Sequence, residues 1–377
     1  MPTITILHVV DSLCPGGMEN GVANIAAQLV KSDVVTHVAC LRERGAFASR
    51  LPDISKTTVL GKTSGVSIAA ALHLGRLIQE QRPDLIHTHN LGPLVYAAIA
   101  TIWGHSVPIL HGEHGQIQPQ ELTLKRKLLR RLLYHACHTV HTVSTGLLDS
   151  LRCSGFRAKR MTAIVNGVDC DRFHPPPDKG EAKHSVGLPD PSHCVLGIVG
   201  RFVALKRHHM LFNAVSALMA RRPNLHLLVI GDNGAMRDEI VAAMQTHPYA
   251  SRIHWLGMRQ DMDLCYQAMD LLVSPSEIEG LSNAVLESMA AGVPVLAHVA
   301  CGNNEVIRDG IDGFLRDIRD ANTLATAIEE AIADPVKLAQ IGALARKRVV
   351  SDFSIEAMAA SYYRTYQSII RDTGGAA

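Results

Sequence analysis

Short apolar runs rich in β-branched residues alternate with stretches of helical periodicity along this chain of 377 residues. In the first half the predicted strands are ITILHVV, VVTHVAC, DLIHTH, VPILHG and HTVHTV. Helical stretches such as GVANIAAQLVK and SIAAALHLGRLIQEQ lie between them. Because strands alternate with helices, the pattern predicts a parallel sheet covered on both faces.

The alternation stops beyond Asp169, where Phe173 leads into HPPPDKGEAKHSVGLPDPSH. Proline, glycine and charge predict a linker over residues 173–192. A second series of strands follows, with VLGIVG, LHLLVIG, RIHWLG, DLLVSP and VPVLAH. We therefore expect an α/β fold with two doubly wound, Rossmann-like domains, residues 1–172 and 193–353, facing across a cleft. We expect the helix within residues 354–377 to pack back on the N-terminal domain.

In the segment EIEGLSNAVLESMAAGVPVLA, two of the three glutamates, Glu279 and Glu287, are separated by seven residues. A strand precedes it, so Glu279 lies in a loop and Glu287 inside the following helix. The two carboxylates would stand roughly 10 Å apart at about 1.5 Å per residue. With a helix N-terminus between them, they suit the ribose, diphosphate and sugar of a nucleoside diphosphate sugar. The alternative is an amphipathic helix with a solvated carboxylate at each end.

Three further loops follow predicted strands. Gly16 and Gly17 permit close backbone approach before a helix, although a simple turn has the same sequence. Arg201 and Lys206, in the loop that begins at Gly200, are natural diphosphate ligands, the alternative being a solvated basic loop. The third of these loops, GDNG, contains Asp232 and Gly234 and is weak evidence alone.

Histidines gather at two neighbouring strand ends. His87 and His89 are two apart and so share a face, and HGEHG places His111 and His114 after the next strand. No carboxylate or cysteine accompanies them at a recognised ligand spacing, so we expect no metal. A hydrogen-bond donor or proton carrier facing the cleft is the preferred interpretation. Three other histidines are attributed to composition: His135, His138 and His141.

Composition excludes several classes of protein. The formal net charge of +2 argues against a nucleic-acid binder. No apolar window is long enough to span a bilayer, and the first residues lack the basic n-region of a signal peptide. The eight scattered cysteines predict reduced thiols. We therefore expect a cytoplasmic protein. Gly61-Lys62-Thr63 lacks the earlier glycine of a P-loop, which argues against an ATPase. No G-x-G-x-x-G follows the first strand, which argues against an ordinary nicotinamide dehydrogenase.

Motifs along the whole chain give a specific resemblance. They are PGGMEN from Pro15, HTHN, HGEHG, VNGVDCDRF, VGRFVALKR, IGDNG and SEIEGLSNAVLESMAAGVPVLA. With them the sequence resembles glycosyltransferase family 4, retaining enzymes of the GT-B fold found in bacterial exopolysaccharide and envelope glycan synthesis. The sequence departs from the family at Asn20, where a basic residue is common, and at Arg207, where glycine is common.

The resemblance implies a role for each matching residue. Arg201 and Lys206 would bind the donor diphosphate, Glu287 the ribose hydroxyls and Glu279 the transferred sugar, while His114 would lie near the reacting carbon. His111 is the alternative to His114. The implied catalytic residues are His114, Glu279, Arg201 and Lys206. The implied donor-binding residues are Gly16, Gly17, Gly200, Arg201, Lys206, Asp232, Glu279, Gly280, Leu281, Ser282, Asn283 and Glu287. The acceptor-binding candidates are His87, His89, Asn90 and His111.

The expected function is therefore retaining transfer of a sugar, from a UDP-sugar or alternatively a GDP-sugar, to a saccharide or lipid-linked saccharide. No cofactor or metal is expected, because cations and a helix N-terminus can stabilise the departing diphosphate. Two alternatives remain. A sugar-nucleotide epimerase of related fold would turn over the donor without acceptor, and a non-catalytic nucleotide-sugar-binding protein would bind it without transfer.

The stretch TLKRKLLRRLLYHACH, residues 123–138, predicts a basic amphipathic helix. Lysines and arginines alternate with leucines, and such helices lie on anionic membrane surfaces. That would place the protein peripherally on the inner face of a membrane. The alternative is a surface helix that packs its leucines on the sheet.

Overall fold

A computed structural model describes residues 3–63, 65–102, 107–115, 117, 123–188, 190–278 and 280–374. The first sheet contains β1 (Ile4–Ser12), β2 (Val34–Glu43), β3 (Thr57–Val59), β4 (Leu85–His89), β5 (Ile109–Glu113), β6 (Thr139–Thr142) and β7 (Met161–Ala163). Its strands are parallel, in the order β3-β2-β1-β4-β5-β6-β7.

The second sheet contains β8 (Cys194–Val199), β9 (Leu225–Ile230), β10 (Ile253–Gly257), β11 (Leu271–Ser274), β12 (Val295–His298) and β13 (Phe314–Arg316). Its order is β10-β9-β8-β11-β12-β13, again parallel. Both orders reverse direction beside the first strand of the sheet, as in doubly wound nucleotide-binding folds. The predicted α/β fold of two Rossmann-like domains is confirmed.

Helices connect the strands. With the first sheet lie α1 (Gly17–Leu29), α2 (Ile68–Gln81), α3 (Leu91–Ile102), α4 (Leu124–Ala136) and α5 (Thr145–Cys153). With the second lie α6 (Lys179–Ser185), α7 (His208–Met219), α8 (Arg237–Gln245), α9 (Met262–Gln267), α10 (Asn283–Ala290), α11 (Cys301–Val306), α12 (Ala321–Ala331) and α13 (Pro335–Asp352). The last helix is α14 (Ile355–Gly374). Side-chain caps define several starts, as at Ser67, Ser144 and Asp334, where an oxygen accepts a backbone N–H of the first turn.

The chain divides into two compact units, residues 1–167 with 355–377, and residues 168–354. The segment 173–192, expected to be a linker, lies within the second unit and contains α6. Its Lys183 is buried, where the ammonium contacts Asp270 at 3.0 Å and donates to the His193 carbonyl oxygen. A short helix with a buried lysine therefore ties this segment to the second unit, while most of its other described polar residues are exposed.

Two layers cover the first sheet because successive side chains of a strand point to opposite faces. On one face Ile6, Leu85 and Leu110 pack with α14, which contributes Tyr362 and Tyr366 among its buried residues. On the other face a separate apolar cluster joins the sheet to α2, α3 and α4. The polar side chains of the candidate site in this unit lie at the carboxyl ends of β1, β4, β5 and β6, on both faces.

Candidate active site

Two loops of the second unit are braced against each other at adjacent strand ends. The Phe202 N–H donates to the Asn233 carbonyl at 2.7 Å, and the Met236 N–H donates to the Phe202 carbonyl at 2.9 Å. Gly234 adopts a φ of 140°, and a Cβ there would lie 2.2 Å from the Phe202 carbonyl oxygen. The second glycine of the GDNG loop is therefore needed so that the two backbones can approach.

The side chain of Lys206 lies across Gly200, at the end of β8. A Cβ on Gly200 would come within 3.2 Å of the Lys206 Cε, so the absent side chain makes room for the lysine stem. Arg201 is exposed beside it. The loop after β11 joins this group, since the Glu277 N–H donates to the Leu205 carbonyl at 3.0 Å. The predicted cations and the loop leading to α10 thus meet at one edge of the sheet.

Arg207 explains one departure from the family pattern. Its φ of 52° is left-handed, a conformation that glycine adopts without strain. The guanidinium donates to the Ile318 carbonyl at 3.0 Å and lies 3.3 Å from a Glu277 carboxylate oxygen. These contacts hold a strained residue at the N-cap of α7, so this arginine has a structural position of its own beside Lys206.

Glu287 lies on α10, where the Tyr266 hydroxyl donates to its carboxylate at 2.9 Å. Burial and the Glu287 charge raise the pKa of Tyr266, so the phenol stays a donor. Gly280, Leu281 and Ser282, at the start of α10, are buried. Glu279 falls outside the described residues, and the role assigned to it stays a prediction.

Gly280 and Leu281 are held from the side by α11. A Cβ on Gly302 would lie 2.1 Å from the Gly280 carbonyl oxygen and 2.8 Å from the Leu281 Cα. Ser282 is the N-cap of α10, and its side chain makes no capping hydrogen bond. The first turn of α10 is therefore fixed in place by backbone packing, with Asn283 as its first helical residue.

Asp232 is held by an ion pair. Arg237, at the start of α8, donates to its carboxylate, and the same guanidinium lies 5.5 Å from the Trp255 ring centroid. The donor role predicted for Asp232 stays a prediction, and any ligand group that reaches this carboxylate shares it with Arg237.

The glycine loop of the first unit already contains a carboxylate. A Cβ on Gly16 would lie 2.3 Å from a Glu19 carboxylate oxygen, so Glu19 folds over the start of α1. An anion near Gly16 and Gly17 would compete with it for this positive helix end. At the nearby Asn20, where the family often has a cation, the side-chain oxygen accepts from Arg50 at 2.6 Å.

A layer of imidazoles occupies the α14 face at the carboxyl ends of the strands. His8 pairs in register with His87, and His89 pairs with Gly112, which in turn pairs with His141. A Cβ on Gly112 would lie 2.6 Å from the His141 ring and 2.9 Å from His114 Nε2. The glycine of the HG motif therefore leaves the space that two imidazoles fill.

Two branches of ring hydrogen bonds link this layer. In the first, His8 Nδ1 lies 2.9 Å from His89 Nε2, and His89 Nδ1 lies 2.8 Å from His114 Nε2. In the second, His87 Nε2 lies 2.9 Å from His141 Nε2, and His87 Nδ1 lies 2.9 Å from the Tyr366 hydroxyl. His8 has no sequence signal of its own, and the attribution of His141 to composition is wrong, because a single strand does not reveal which rings its neighbours present.

His111 lies on the opposite face from His114. Its Nδ1 lies 2.8 Å from the Thr88 hydroxyl, and its Nε2 lies 3.3 Å from a Glu113 carboxylate oxygen. The Glu113 carboxylate also accepts from Arg130 at 3.0 Å and from the Tyr134 hydroxyl at 2.5 Å, which ties α4 to β5. The strand alternation separates His111 from the ring layer, so the two histidines of HGEHG have different surroundings. The assignment of His114, with His111 as its alternative, to the reacting carbon stays a prediction.

Burial determines the charge of the ring layer. Desolvation, with the nearby His114, lowers the pKa of His8 to about 3, and desolvation lowers that of His114 to about 4. The pKa values of His87 and His89 are also far below normal, first through burial and then through neighbouring histidines. The rings are therefore neutral at physiological pH.

The acceptor-binding candidates differ in accessibility. His87, His89 and His111 are fully buried, whereas Asn90 and His114 are partly exposed. Asn90 adopts a left-handed φ of 66°, and its side-chain oxygen accepts a hydrogen bond from the backbone N–H of His114 at 3.2 Å. Direct acceptor contact by the three buried rings stays a prediction, and of the three only His89 is hydrogen-bonded to the His114 ring.

One group in the described ranges has the ligand spacing of a metal site. Ring nitrogens of His8, His87 and His89 lie within 4.8 Å of one another. Both nitrogens of His87, however, already have hydrogen-bond partners, and the same is true of His89. A bound ion would have to replace part of this network.

Comparison with known proteins identifies the class. A family model described as Glycosyltransferase Family 4 matches residues 15–172, and one described as Glycosyl transferases group 1 matches residues 193–334. The chain superimposes on the crystal structure of Anabaena Alr3699/HepE in complex with UDP and glucose with a TM-score of 0.86 and 23% identity, over 97% of this chain and 100% of that one. Fold and loops define a glycosyltransferase enzyme of the GT-B fold.

Sequence relatives agree with this class. The chain is 31% identical over 216 residues to the lipopolysaccharide core biosynthesis mannosyltransferase LpsB of Rhizobium meliloti, covering 56% of this chain and 61% of that protein. It is 26% identical to the UDP-Gal:alpha-D-GlcNAc-diphosphoundecaprenol alpha-1,3-galactosyltransferase of Escherichia coli, over 75% of each chain. The chain belongs to glycosyltransferase family 4. Within the described residues, no helix has the length and apolarity to cross a bilayer.

Proposed function

We propose that the protein transfers a sugar, with retention of configuration, from a UDP-sugar to a saccharide or lipid-linked saccharide of a bacterial envelope glycan. The observation that carries the proposal is the meeting of Gly200, Arg201 and Lys206 with the loop that leads into α10 and Glu287. Two relatives support the donor and the acceptor class: HepE was crystallised with UDP-glucose, and the Escherichia coli relative is named for UDP-Gal and a diphosphoundecaprenol-linked sugar.

Each group has a proposed task. Glu287, oriented by Tyr266, accepts from the ribose hydroxyls. Arg201, Lys206 and the first turn of α10 stabilise the negative charge that develops on the diphosphate as the sugar's C1–O bond breaks. These cations take the place that a divalent metal has in other transferases, so we expect activity in the presence of a chelator. Glu279 would hold the sugar, and His114 would lie beside the reacting carbon.

A thermal-shift screen tests the donor. A ligand that binds only the folded protein stabilises it by about 2.7 kcal/mol at 100 times its Kd. We expect UDP and UDP-sugars to raise Tm by several degrees, GDP- and ADP-sugars to raise it less, and Glu287→Gln to abolish the shift. Glu329→Gln, on the surface ion pair with Arg221, is the matched control.

The same preparation separates the alternatives. Transfer to an acceptor pool with the donor's anomeric configuration supports the proposal. Turnover of the sugar nucleotide without acceptor would indicate an epimerase, and saturable binding without any transfer would indicate a binding protein. Either result would refute the transferase mechanism, and an inverted product would refute retention alone.

We further propose that α4 attaches the protein to an anionic membrane. Its buried face consists of Arg130, Leu133 and Tyr134. Leu124, Leu128 and Leu132, one helical turn apart, are 83%, 67% and 69% exposed. The alternative that the leucines pack on the sheet accordingly applies to Leu133 and not to this stripe. Exposed leucines can enter the acyl boundary of a membrane, and the lysines and arginines beside them can contact anionic headgroups.

Vesicle binding tests this surface. We expect the full chain to bind phosphatidylglycerol-containing vesicles, and Leu124→Ser, Leu128→Ser and Leu132→Ser together to weaken binding at least tenfold, because each loses burial in the acyl boundary. The control carries serines at three apolar residues of similar exposure outside α4: Val66, Ile68 and Val336. Equal binding by the two triple variants, or no binding to anionic vesicles at low salt, would contradict the proposal.

A further inference from the structure

The chain of rings from His8 through His89 to His114 has a direction. His89 is neutral and has one ring proton, and both of its nitrogens are hydrogen-bonded. It must therefore donate at one nitrogen and accept at the other. The two hydrogen bonds run either toward His114 or toward His8.

The His8 end of this row of rings decides between the two directions. His8 Nε2 is buried and has no partner in the described structure. If the bonds ran toward His8, this nitrogen would carry an N–H with nothing to accept it. If they run toward His114, it holds only an unused lone pair, which proteins tolerate better than an orphaned buried donor. The proton of His114 is then on Nδ1, and its Nε2 accepts from His89.

We propose that His89, supported by His8, is a positioning residue that fixes the ring orientation and the Nδ1–H tautomer of His114. The inference rests on the proposed function, in which His114 lies beside the reacting carbon. With its Nε2 occupied, His114 presents Nδ1–H as a hydrogen-bond donor to the bound sugar or the acceptor.

The surroundings of the chain support a fixed geometry. Gly112 leaves the space for the His114 ring, and Asn90 holds the His114 backbone N–H. The low pKa values of His8 and His114 keep the chain neutral. Neutral rings with both hydrogen bonds of His89 in place hold the His114 ring in one orientation.

His87 provides the matched control. It is as buried as His89, lies on the same strand and face, and its ring centroid is 4.1 Å from that of His89. Its hydrogen bonds go to Tyr366 and His141 instead of His114. Replacing His87 therefore perturbs the same core without removing the donor to His114.

The experiment compares His89→Leu, His89→Asn and His87→Leu in the full chain, with steady-state transfer from UDP-sugar below the Tm of every variant. We expect His89→Leu to lower kcat about tenfold or more while the donor KM changes less than about twofold. His89→Asn should recover most of the rate, because its amide can donate from the position of Nδ1. His87→Leu should keep the Nδ1–H tautomer of His114, because it leaves the His89 donor in place.

Nitrogen-15 NMR of the histidine rings gives a readout independent of activity, with the His114 signals assigned from a His114→Gln spectrum. We expect Nδ1–H in wild type and His89→Asn, and Nε2–H or a tautomer mixture in His89→Leu. An Nε2–H tautomer in wild type, an unchanged tautomer in His89→Leu, or the same loss of the Nδ1–H tautomer in His89→Leu and His87→Leu would overturn the inference. Absence of sugar transfer by wild type would refute the proposed function, while the NMR result would still decide the tautomer.

Discussion

Replacing Lys206 or Arg201 by alanine should lower kcat by a factor of about 10² to 10³, the largest activity loss we expect for a single cation. Loss of one preorganised group facing a developing negative charge costs about 2.7 to 4 kcal/mol of transition-state stabilisation. The Lys206 stem is fixed against Gly200, so its ammonium needs little reorganisation during the reaction. Because the diphosphate charge grows as the sugar leaves, we expect kcat to fall more than donor affinity.

Initial rates at several UDP-sugar concentrations separate kcat from KM for each variant. Arg221→Ala is the control, since it removes an exposed cation of the same unit that pairs with Glu329. We expect Arg201→Lys to recover only part of the rate, because an ammonium lacks the planar fork of a guanidinium. Near-normal turnover in both alanine variants would refute the donor-site assignment.

The loops of the second unit were predictable because each has its own sequence signal. Glycines and cations follow apolar strands, and parallel strands place their carboxyl ends at one edge of the sheet. What the sequence did not reveal is how the loops support each other. Glu277, Phe202 and Gly302 act through backbone contacts with residues distant in the chain, and such contacts leave no local pattern.

The first unit shows a different limit. The i,i+2 spacing correctly placed His87 and His89 on one face, but it could not align that face with His8 on β1 or His141 on β6. Three edge strands, β3, β7 and β13, were missed since each has only three residues and no measurable periodicity.

Arg130 was grouped with the basic surface of α4, but its side chain is 3% exposed and pairs with Glu113. Helical periodicity assigns a residue to a face by its position and cannot detect a buried partner on another element. The carboxylate between the two histidines of HGEHG was not singled out either, although a charged residue inside an apolar strand is a signal that could have identified it.

Glu113→Gln should destabilise the protein by about 3 to 5 kcal/mol, because it breaks a buried ion pair by removing the carboxylate that accepts from the Arg130 guanidinium. At the size of the first unit this corresponds to a loss in Tm of roughly 10 °C, measurable by calorimetry on the full chain. The double variant Glu113→Gln with Arg130→Met should recover much of the loss, since apolar replacements of buried ion pairs are often neutral. Equal stability of the single variant and wild type would contradict a buried ion pair.

The same pair predicts how stability depends on pH. Burial alone would raise the pKa of Glu113, but the hydrogen bond and charge of His111, the Arg130 charge and the Tyr134 hydroxyl lower it from 4.5 to about 2. A depressed carboxyl pKa stabilises the fold above the unfolded value, and that contribution is lost as pH falls from about 4.5 to about 2. The shift corresponds to about 3 kcal/mol. Wild type should therefore lose more stability across this window than the double variant, and parallel pH profiles of the two proteins would show that Glu113 ionises normally.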